Sequence, residues 1–150
     1  MHAPIRDQVV VSYSHKDRNW LDRLKVVLAP LVRSGSLSVW DDTSLPPGSI
    51  WRDEIKRALS RAKVAVLLVS PDFLASDFIA KEELPPLLGA AQEEGMILLW
   101  VYLRPCLYDA TPIGDYQAAH DIAHALSGLS TNEQEGVLLQ IAKLIRDAAS

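Results

Sequence analysis

The sequence predicts a single α/β domain built on a parallel sheet, with functional groups on the loops at the carboxyl ends of the strands. Short, almost wholly apolar runs alternate with longer segments whose apolar residues recur at helical spacing. That alternation builds parallel strands joined by crossover helices. Two of the runs, Val64–Val69 and Met96–Tyr102, are apolar at nearly every position, the mark of strands covered on both faces. The length of 150 residues suits one domain.

Taken in order, Gln8–Tyr13 is the first strand candidate. After Ser14, the positions Trp20, Leu21, Leu24, Val27, Leu28 and Leu31 make a helical stripe that Gly35 ends. Ser14 is placed to cap this helix, with Asp17 as a first-turn charge. Leu37–Trp40 is the second strand. A helix from about Ile50 to Ala62 follows, capped by Ser49, with Ile55, Ala58 and Leu59 facing inward. Val64–Val69 is the third strand, and a helix over roughly Phe78–Glu94 stops at Gly95. Met96–Tyr102 is the fourth strand. The stretch 104–129 is irregular, with a weak pattern for a short fifth strand near Ala125–Leu129. The last helix runs from about Asn132 to Ala149, opened by a capping box of Ser130 and Glu133.

With 49% apolar and 23% charged residues, a core of ordinary size forms without disulfides. None is available within the chain, because Cys106 is the one cysteine. The net charge of −4 argues against a nucleic-acid surface, which needs a basic face. The apolar runs are too short to cross a bilayer, and the amino terminus lacks the apolar centre of a signal peptide. A cytoplasmic location is expected, with no membrane partner.

Common catalytic signatures are missing. No G-x-G-x-x-G follows the first strand, no Walker A lysine loop is present, and no G-x-S-x-G elbow occurs. A phospho-acceptor receiver domain would want an acidic pair after the first strand and an aspartate ending the third, where Ser12-Tyr13-Ser14 and Ser70-Pro71 stand. His120 and His124 have helical metal-ligand spacing but no third ligand, so they are read as ordinary histidines. Cys106 is read as a small semi-buried residue rather than a nucleophile. No metal is expected.

Acidic pairs are frequent, and most suit solvated faces or helix starts: Asp53-Glu54 is explained by the helix dipole and Glu93-Glu94 by the surface. Glu82-Glu83 differs. It lies inside an apolar run and is followed at once by Pro85-Pro86. Prolines in a continuous helix remove backbone bonds and crowd the preceding turn, which implies a kink beside the pair. Irregular helical turns often accompany function. The loop from Asp41 to Ser49, with its stiff Pro46-Pro47-Gly48 and Leu45, is long for a β-to-α connection and suits a lid or a partner-binding segment.

Together these segments resemble the Toll/interleukin receptor (TIR) family in its bacterial form. The pieces are Val10–Ser14 with Asp17; Val39-Trp40-Asp41-Asp42 with Pro47-Gly48 and Trp51; Val66–Pro71; Phe73–Phe78; Glu83-Leu84; and Arg104-Pro105-Cys106. Their order and spacing over about residues 8–128 carry the likeness. It implies a flavodoxin-like, doubly wound parallel sheet of four to five strands. It also implies one TIR domain over 1–150, of a kind usually fused to a sensing or oligomerising domain.

The resemblance further implies an NAD glycohydrolase, cleaving NAD to nicotinamide and ADP-ribose or a cyclic form, in antiphage defence. NAD is then the substrate, and no cofactor is needed. The catalytic residue carried over is Glu83, which keeps the family's Glu-Leu step, with Glu82 as the competing candidate. The spacing from the aromatic Phe78 is one residue longer than in many relatives, and Phe78 stands where tryptophan is frequent. Ser76 matches the start of the same motif. Contacts to NAD carry over onto Ser14, His15 and Pro46, Ser14 lying at the predicted helix N-terminus that suits a phosphate. Lys16 beside His15 partly supplies the family's basic character. The family's sites are usually completed by head-to-tail packing of TIR domains. The alternative role implied is a non-catalytic TIR interaction module in signalling; a third is a nucleotide sensor without chemistry.

Overall fold

The computed structural model describes residues 5–44 and 51–150. Four parallel strands, β1 (Gln8–Ser12), β2 (Val39–Trp40), β3 (Ala62–Val69) and β4 (Ile97–Tyr102), form one sheet in the order β2-β1-β3-β4. The order reverses between β1 and β3, and in open sheets of this kind the crevice beyond such a switch point is where ligands bind.

Among the described residues five α-helices flank the sheet: α1 (Arg18–Arg33), α2 (Trp51–Ser60), α3 (Pro71–Ala75), α4 (Leu84–Glu93) and α5 (Thr131–Ala149). The two-residue period of the strands splits the core into two. Val9 and Val11, Val64, Val66 and Leu68, and Leu99 and Val101 face α1 and α5. Val10, Ala65, Leu67, Val69, Leu98 and Trp100 face the side covered by α2, α3 and α4. Seven of the eight β3 residues are fully buried, as its unbroken apolar run requires.

The helix ends follow the sequence punctuation. At the end of α1, Gly35 adopts a φ of +82°. Gly35 N–H then donates to Val32 O at 3.1 Å and Ser36 N–H to Leu31 O at 2.9 Å, closing a Schellman motif. At the start of α5, Glu133 N–H donates to Ser130 Oγ at 3.2 Å and Ser130 N–H to Glu133 Oε1 at 3.1 Å, the expected capping box.

Three expectations are corrected. No fifth strand forms among the described residues: Leu126–Gly128 is a 3₁₀ turn with Leu126 fully buried. The edge of β4 instead takes a one-residue bridge, Trp100 to Ala118, with Ala119 N–H donating to Trp100 O at 2.7 Å. The helix expected over Phe78–Glu94 is not one regular helix. Ser76 is extended and ends α3, and Ile79–Glu83 then forms a π-helical turn that runs into α4. Its wide ring is closed by Leu84 N–H donating to Ile79 O, five residues back. Pro85 and Pro86 have no N–H to offer the carbonyls of Lys81 and Glu82, and the turn beside them widens. The kink expected beside Glu82-Glu83 is this turn.

The third correction concerns Ser14 and Asp17. A 3₁₀ turn at His15–Asp17 precedes α1, and Ser14 caps that turn by accepting from Lys16 N–H at 3.3 Å. Asp17 occupies the N-cap position of α1 without a side-chain capping bond. It is 2% exposed and serves as a buried anchor. Its carboxylate accepts from Ser70 Oγ at 2.5 Å and from Arg104 Nε at 3.1 Å. Arg104 reaches on to Asp72 at 2.5 Å, and Ser70 Oγ also accepts Phe73 N–H to cap α3. One carboxylate thus ties together the chain segments leaving β1, β3 and β4. Removing the Asp17 carboxylate leaves the buried Ser70 hydroxyl without its acceptor, while the partly exposed Arg104 keeps Asp72. Asp17→Ala is expected to lower unfolding stability by about 2 kcal/mol in urea titration, whereas Arg18→Ala, at an exposed pair with Asp22, changes it by less than about 0.5 kcal/mol.

Candidate functional site

A cavity of about 560 Å³ opens at the carboxyl ends of β1 and β2, within the size range of small-molecule sites. Val11, Tyr13, Ser14, His15 and Lys16 line it from the β1 side, and Trp40 and Asp42 from β2. Trp51 and Ile55 of α2 form another wall, and Ser76, Phe78, Ile79 and Glu83 close it. Three apolar side chains of this lining, Val11, Ile55 and Ile79, are themselves buried in the core, so the walls are rigid.

Glu83 is the carboxylate set most deeply in this lining. Its Oε1 faces the buried Ser12 Oγ, which donates across a long 3.4 Å. Burial pushes its pKa up from 4.5 to about 7; the Ser12 hydrogen bond opposes the rise, the nearby Asp42 charge adds to it, and His15 opposes it. Glu82 points elsewhere. It is exposed and lines a separate groove with Arg6, Lys56 and Pro86. Successive helical residues diverge by about 100°, so the pair cannot share one cavity, and the register of the π turn decides which member faces inward.

A polar network crosses the mouth. Tyr13 donates its hydroxyl to Asp42 Oδ1 at 2.7 Å, and His15 Nε2 closes on Asp42 Oδ2. Burial and then the Asp42 hydrogen bond push the Tyr13 phenol well above its ordinary range, so it stays a donor. Asp41, next to it, is not a solvated charge: it is buried, pairs with Lys25 at 3.1 Å and accepts Thr43 N–H at 2.9 Å. The start of the long loop is thereby tied to α1 and to the β1 end.

The structure brings Ser14, His15, Ser76, Phe78 and Glu83 to one cavity. Ser76 Oγ accepts Ile79 N–H at 3.2 Å and so also holds the π turn. Ser14 caps the 3₁₀ turn that leads into α1 rather than α1 itself, which starts four residues later. Pro46 and the cap expected at Ser49 lie outside the described residues. Sequence reasoning directs the carboxyl ends of β1 and β2 toward a ligand without singling out Tyr13, Asp42 or Trp51 of the cavity lining, or Ser12 as the partner of Glu83. Trp51 carries a legible signal, a large aromatic outside the inward stripe of Ile55, Ala58 and Leu59. Ser12 ends β1, Tyr13 follows it and Asp42 lies two residues past β2, so their individual roles become legible once the strand ends are known.

The other candidates have local explanations. His120 Nε2 accepts Tyr102 N–H at 3.0 Å, which leaves Nδ1 as the donor to Asp121 O; both ring nitrogens are used, and burial lowers its pKa. Among the described residues no group of three or more histidine, cysteine, aspartate or glutamate side chains could hold a metal ion. Cys106 is half-buried, and burial raises its thiol pKa, the opposite of activation. No described helix is long and apolar enough to cross a membrane.

Comparison with known proteins places this architecture. A family model described as "TIR domain" matches residues 9–135. A Sinorhizobium fredii protein described as "Uncharacterized protein y4lF" is 28% identical over 141 residues, which is 94% of this chain and 43% of that protein. The chain therefore spans less than half the length of that relative. Among solved structures, the TIR domain of the Toll-related receptor TRR-2 from Hydra magnipapillata superposes with a TM-score of 0.58 at 18% identity, covering 95% of this chain and 98% of that one. The TIR domains of the activated Roq1 resistosome, which directly recognises the pathogen effector XopQ, superpose with a TM-score of 0.52 at 14% identity, covering 91% and 84%. At these identities the superpositions speak for the fold.

The buried carboxylate has a consequence for stability. Its folded pKa of about 7 lies above the unfolded value of 4.5, so the folded chain holds the proton more tightly and pays to ionise it as the pH rises. That cost is absent below pH 4.5 and complete above about 7. Glu83→Gln, which is neutral throughout, is expected to stabilise the protein by about 2 kcal/mol at pH 8. The gain should fade as the pH falls from about 7 to 4.5 in parallel urea titrations.

Proposed function

The chain belongs to the TIR-domain family, and we propose that its cavity is the site of an NAD glycohydrolase with Glu83 as the catalytic carboxylate. The observation that carries this reading is Glu83 itself. It is a half-buried glutamate with a pKa raised to about 7, set in an apolar-walled cavity at the switch point of the sheet. A structural role does not account for it, since among the described residues its one side-chain hydrogen bond is long and its burial costs stability. Such costs gather at functional sites.

The chemistry needs one carboxylate. The nicotinamide of NAD is cationic, so it leaves as a neutral molecule with the electrons of the glycosidic bond and needs no general acid. The ribose is left with oxocarbenium character, as in glycoside hydrolysis. An ionised carboxylate beside that sugar stabilises the positive charge as it develops and can hold the ribose hydroxyls. Water adds to the ribose carbon and loses a proton, giving ADP-ribose; capture by a group of the same molecule gives a cyclic product. The walls formed by Val11, Ile55, Phe78 and Ile79 lower the local dielectric, which strengthens the interaction. Lys16 at the mouth supplies positive charge for the diphosphate, His15 beside it offers a ring nitrogen, and Ser76 and Phe78 hold the sugar–base end.

Head-to-tail packing of TIR domains would complete the site, with the loop after β2 meeting a neighbouring copy. Heterologous contacts of that kind make open assemblies. On this reading the protein is an effector that depletes NAD once assembly is triggered, as in antiphage defence.

The test is nicotinamide release with and without crowding agent. Wild type is expected to release nicotinamide under assembling conditions and far more slowly as a dilute monomer. Glu83→Gln should cut the rate about a hundredfold or more, and Glu82→Gln should leave it unchanged. Release of no nicotinamide by folded, assembled wild type defeats the proposal and favours a scaffolding role. A second check is the pH dependence of kcat/KM. The ionised carboxylate is the working form, so activity should climb with pH and level off above about 7, the pKa of free Glu83.

A further inference from the structure

Among the described residues the buried polar or charged ones are Ser12, Asp17, Asp41 and Ser70. The fold explains three of them. Asp17 and Ser70 hold each other together with Arg104, and Asp41 pairs with Lys25 and with its own loop. Ser12 is the remaining one. It ends β1 and lies beside Leu67 of β3 in the register of the sheet. Strand alternation puts it on the same face as Val10, the face that α2, α3 and α4 cover. A hydroxyl in that apolar setting needs a partner. Among the described residues its one side-chain partner is Glu83, 71 positions away in sequence and 3.4 Å away in space.

We propose that Ser12 is the positioning residue of this site: its hydroxyl holds the Glu83 carboxylate by Oε1 and favours the charged form that stabilises the ribose cation. The inference rests on the NAD-cleaving reading and adds the group that aims its carboxylate. A hydroxyl donates to an ionised carboxylate in a bond shorter and about twice as strong as one between neutral groups. The long separation from Ser12 therefore closes as Glu83 ionises. A glutamate side chain is long, and fixing one oxygen removes much of its rotamer freedom. The carboxylate then meets the developing charge without reorganising. Ser12 belongs to the sheet, whereas Glu83 comes from the irregular turn, so the strand supplies the fixed reference. Held at Oε1, the carboxylate keeps Oε2 for the ligand. The titratable groups that share the cavity with Glu83 are Tyr13, His15 and Lys16 beyond β1 and Asp42 beyond β2, while α2 contributes only uncharged side chains. Ser12→Ala leaves all of these in place, so a change in the titration of Glu83 reports the lost hydroxyl.

The direct readout is the Glu83 carboxyl itself, followed by NMR of carboxyl-labelled glutamate in the 150-residue chain and assigned by its loss in Glu83→Gln. Its midpoint in wild type is expected at about 7. Ser12→Ala should move that midpoint up by about one pH unit, and Ser12→Thr, which keeps a hydroxyl, should return it toward wild type. Circular dichroism and thermal melting of each variant confirm that it is folded. Under assembling conditions the acid limb of kcat/KM should move up with the midpoint in Ser12→Ala. Its kcat on the high-pH plateau should fall several-fold, while the KM for NAD stays within about two-fold of wild type. A serine that only packed would change stability and leave the midpoint and the acid limb in place. That result in folded Ser12→Ala overturns the proposal, whatever Ser12→Thr does. If nicotinamide is released and Ser12→Ala titrates like wild type, the positioning role falls and the reaction stands. If the midpoint follows Ser12 but folded, assembled wild type never releases nicotinamide, the hold of Ser12 on Glu83 stands and the reaction falls.

Discussion

The hydrogen bond from Leu84 N–H to Ile79 O sets the geometry on which the site depends. An α-helical turn would close one residue earlier, and every side chain ahead of α4 would rotate by about 100° relative to those behind it. The wide ring absorbs one residue between Phe78 and the helix. It thereby lets Phe78 and Glu83 face one cavity while Leu87 and Ala90 still pack on the sheet. The two prolines after Leu84 make the widening natural, because the carbonyls they leave without donors lie in this very turn. Ser76 steadies the other end by accepting Ile79 N–H.

This turn can be irregular because the sheet end beneath it is not. Asp17 joins Ser70 and Arg104 in a buried cluster, so the segments leaving three strands move as one unit. Asp41 does similar work for the fourth, tied to Lys25 and to its own loop. Both aspartates are nearly inaccessible, and each is matched by a cation and by hydrogen-bond donors, which is the condition for keeping a charge out of water. Among the described residues Glu83 has no comparable set of partners. The contrast separates carboxylates that hold the fold from the one whose ionisation the fold resists.

That resistance has chemical use. A carboxylate in water spends much of its field on solvent, whereas one against apolar walls keeps it for a charge developing nearby. The same burial that raises the pKa of Glu83 to about 7 therefore makes its ionised form a stronger electrostatic partner. Asp42 sits close enough to add to the effect, and its bonds to Tyr13 and His15 join the two strand ends at the cavity mouth.

The amino-acid pattern alone determined the layered α/β architecture, the four strands, the helix caps at Gly35 and Ser130, and the irregular turn beside Pro85-Pro86. All of these follow from local chemistry: apolar periodicity, missing N–H groups, and side chains that satisfy helix ends. Tertiary structure decided the rest. Whether Ala125–Leu129 pairs as a strand depended on what already occupied the β4 edge, where Gln117–Ala119 docks. Asp17 looked like a helix-start charge because its partners, Ser70 and Arg104, are far away in sequence. The choice between Glu82 and Glu83 likewise turned on a rotation of one residue within a wide helical ring. Adjacent glutamates are chemically identical, and only the packing of that ring against the sheet assigns one to solvent and the other to the cavity.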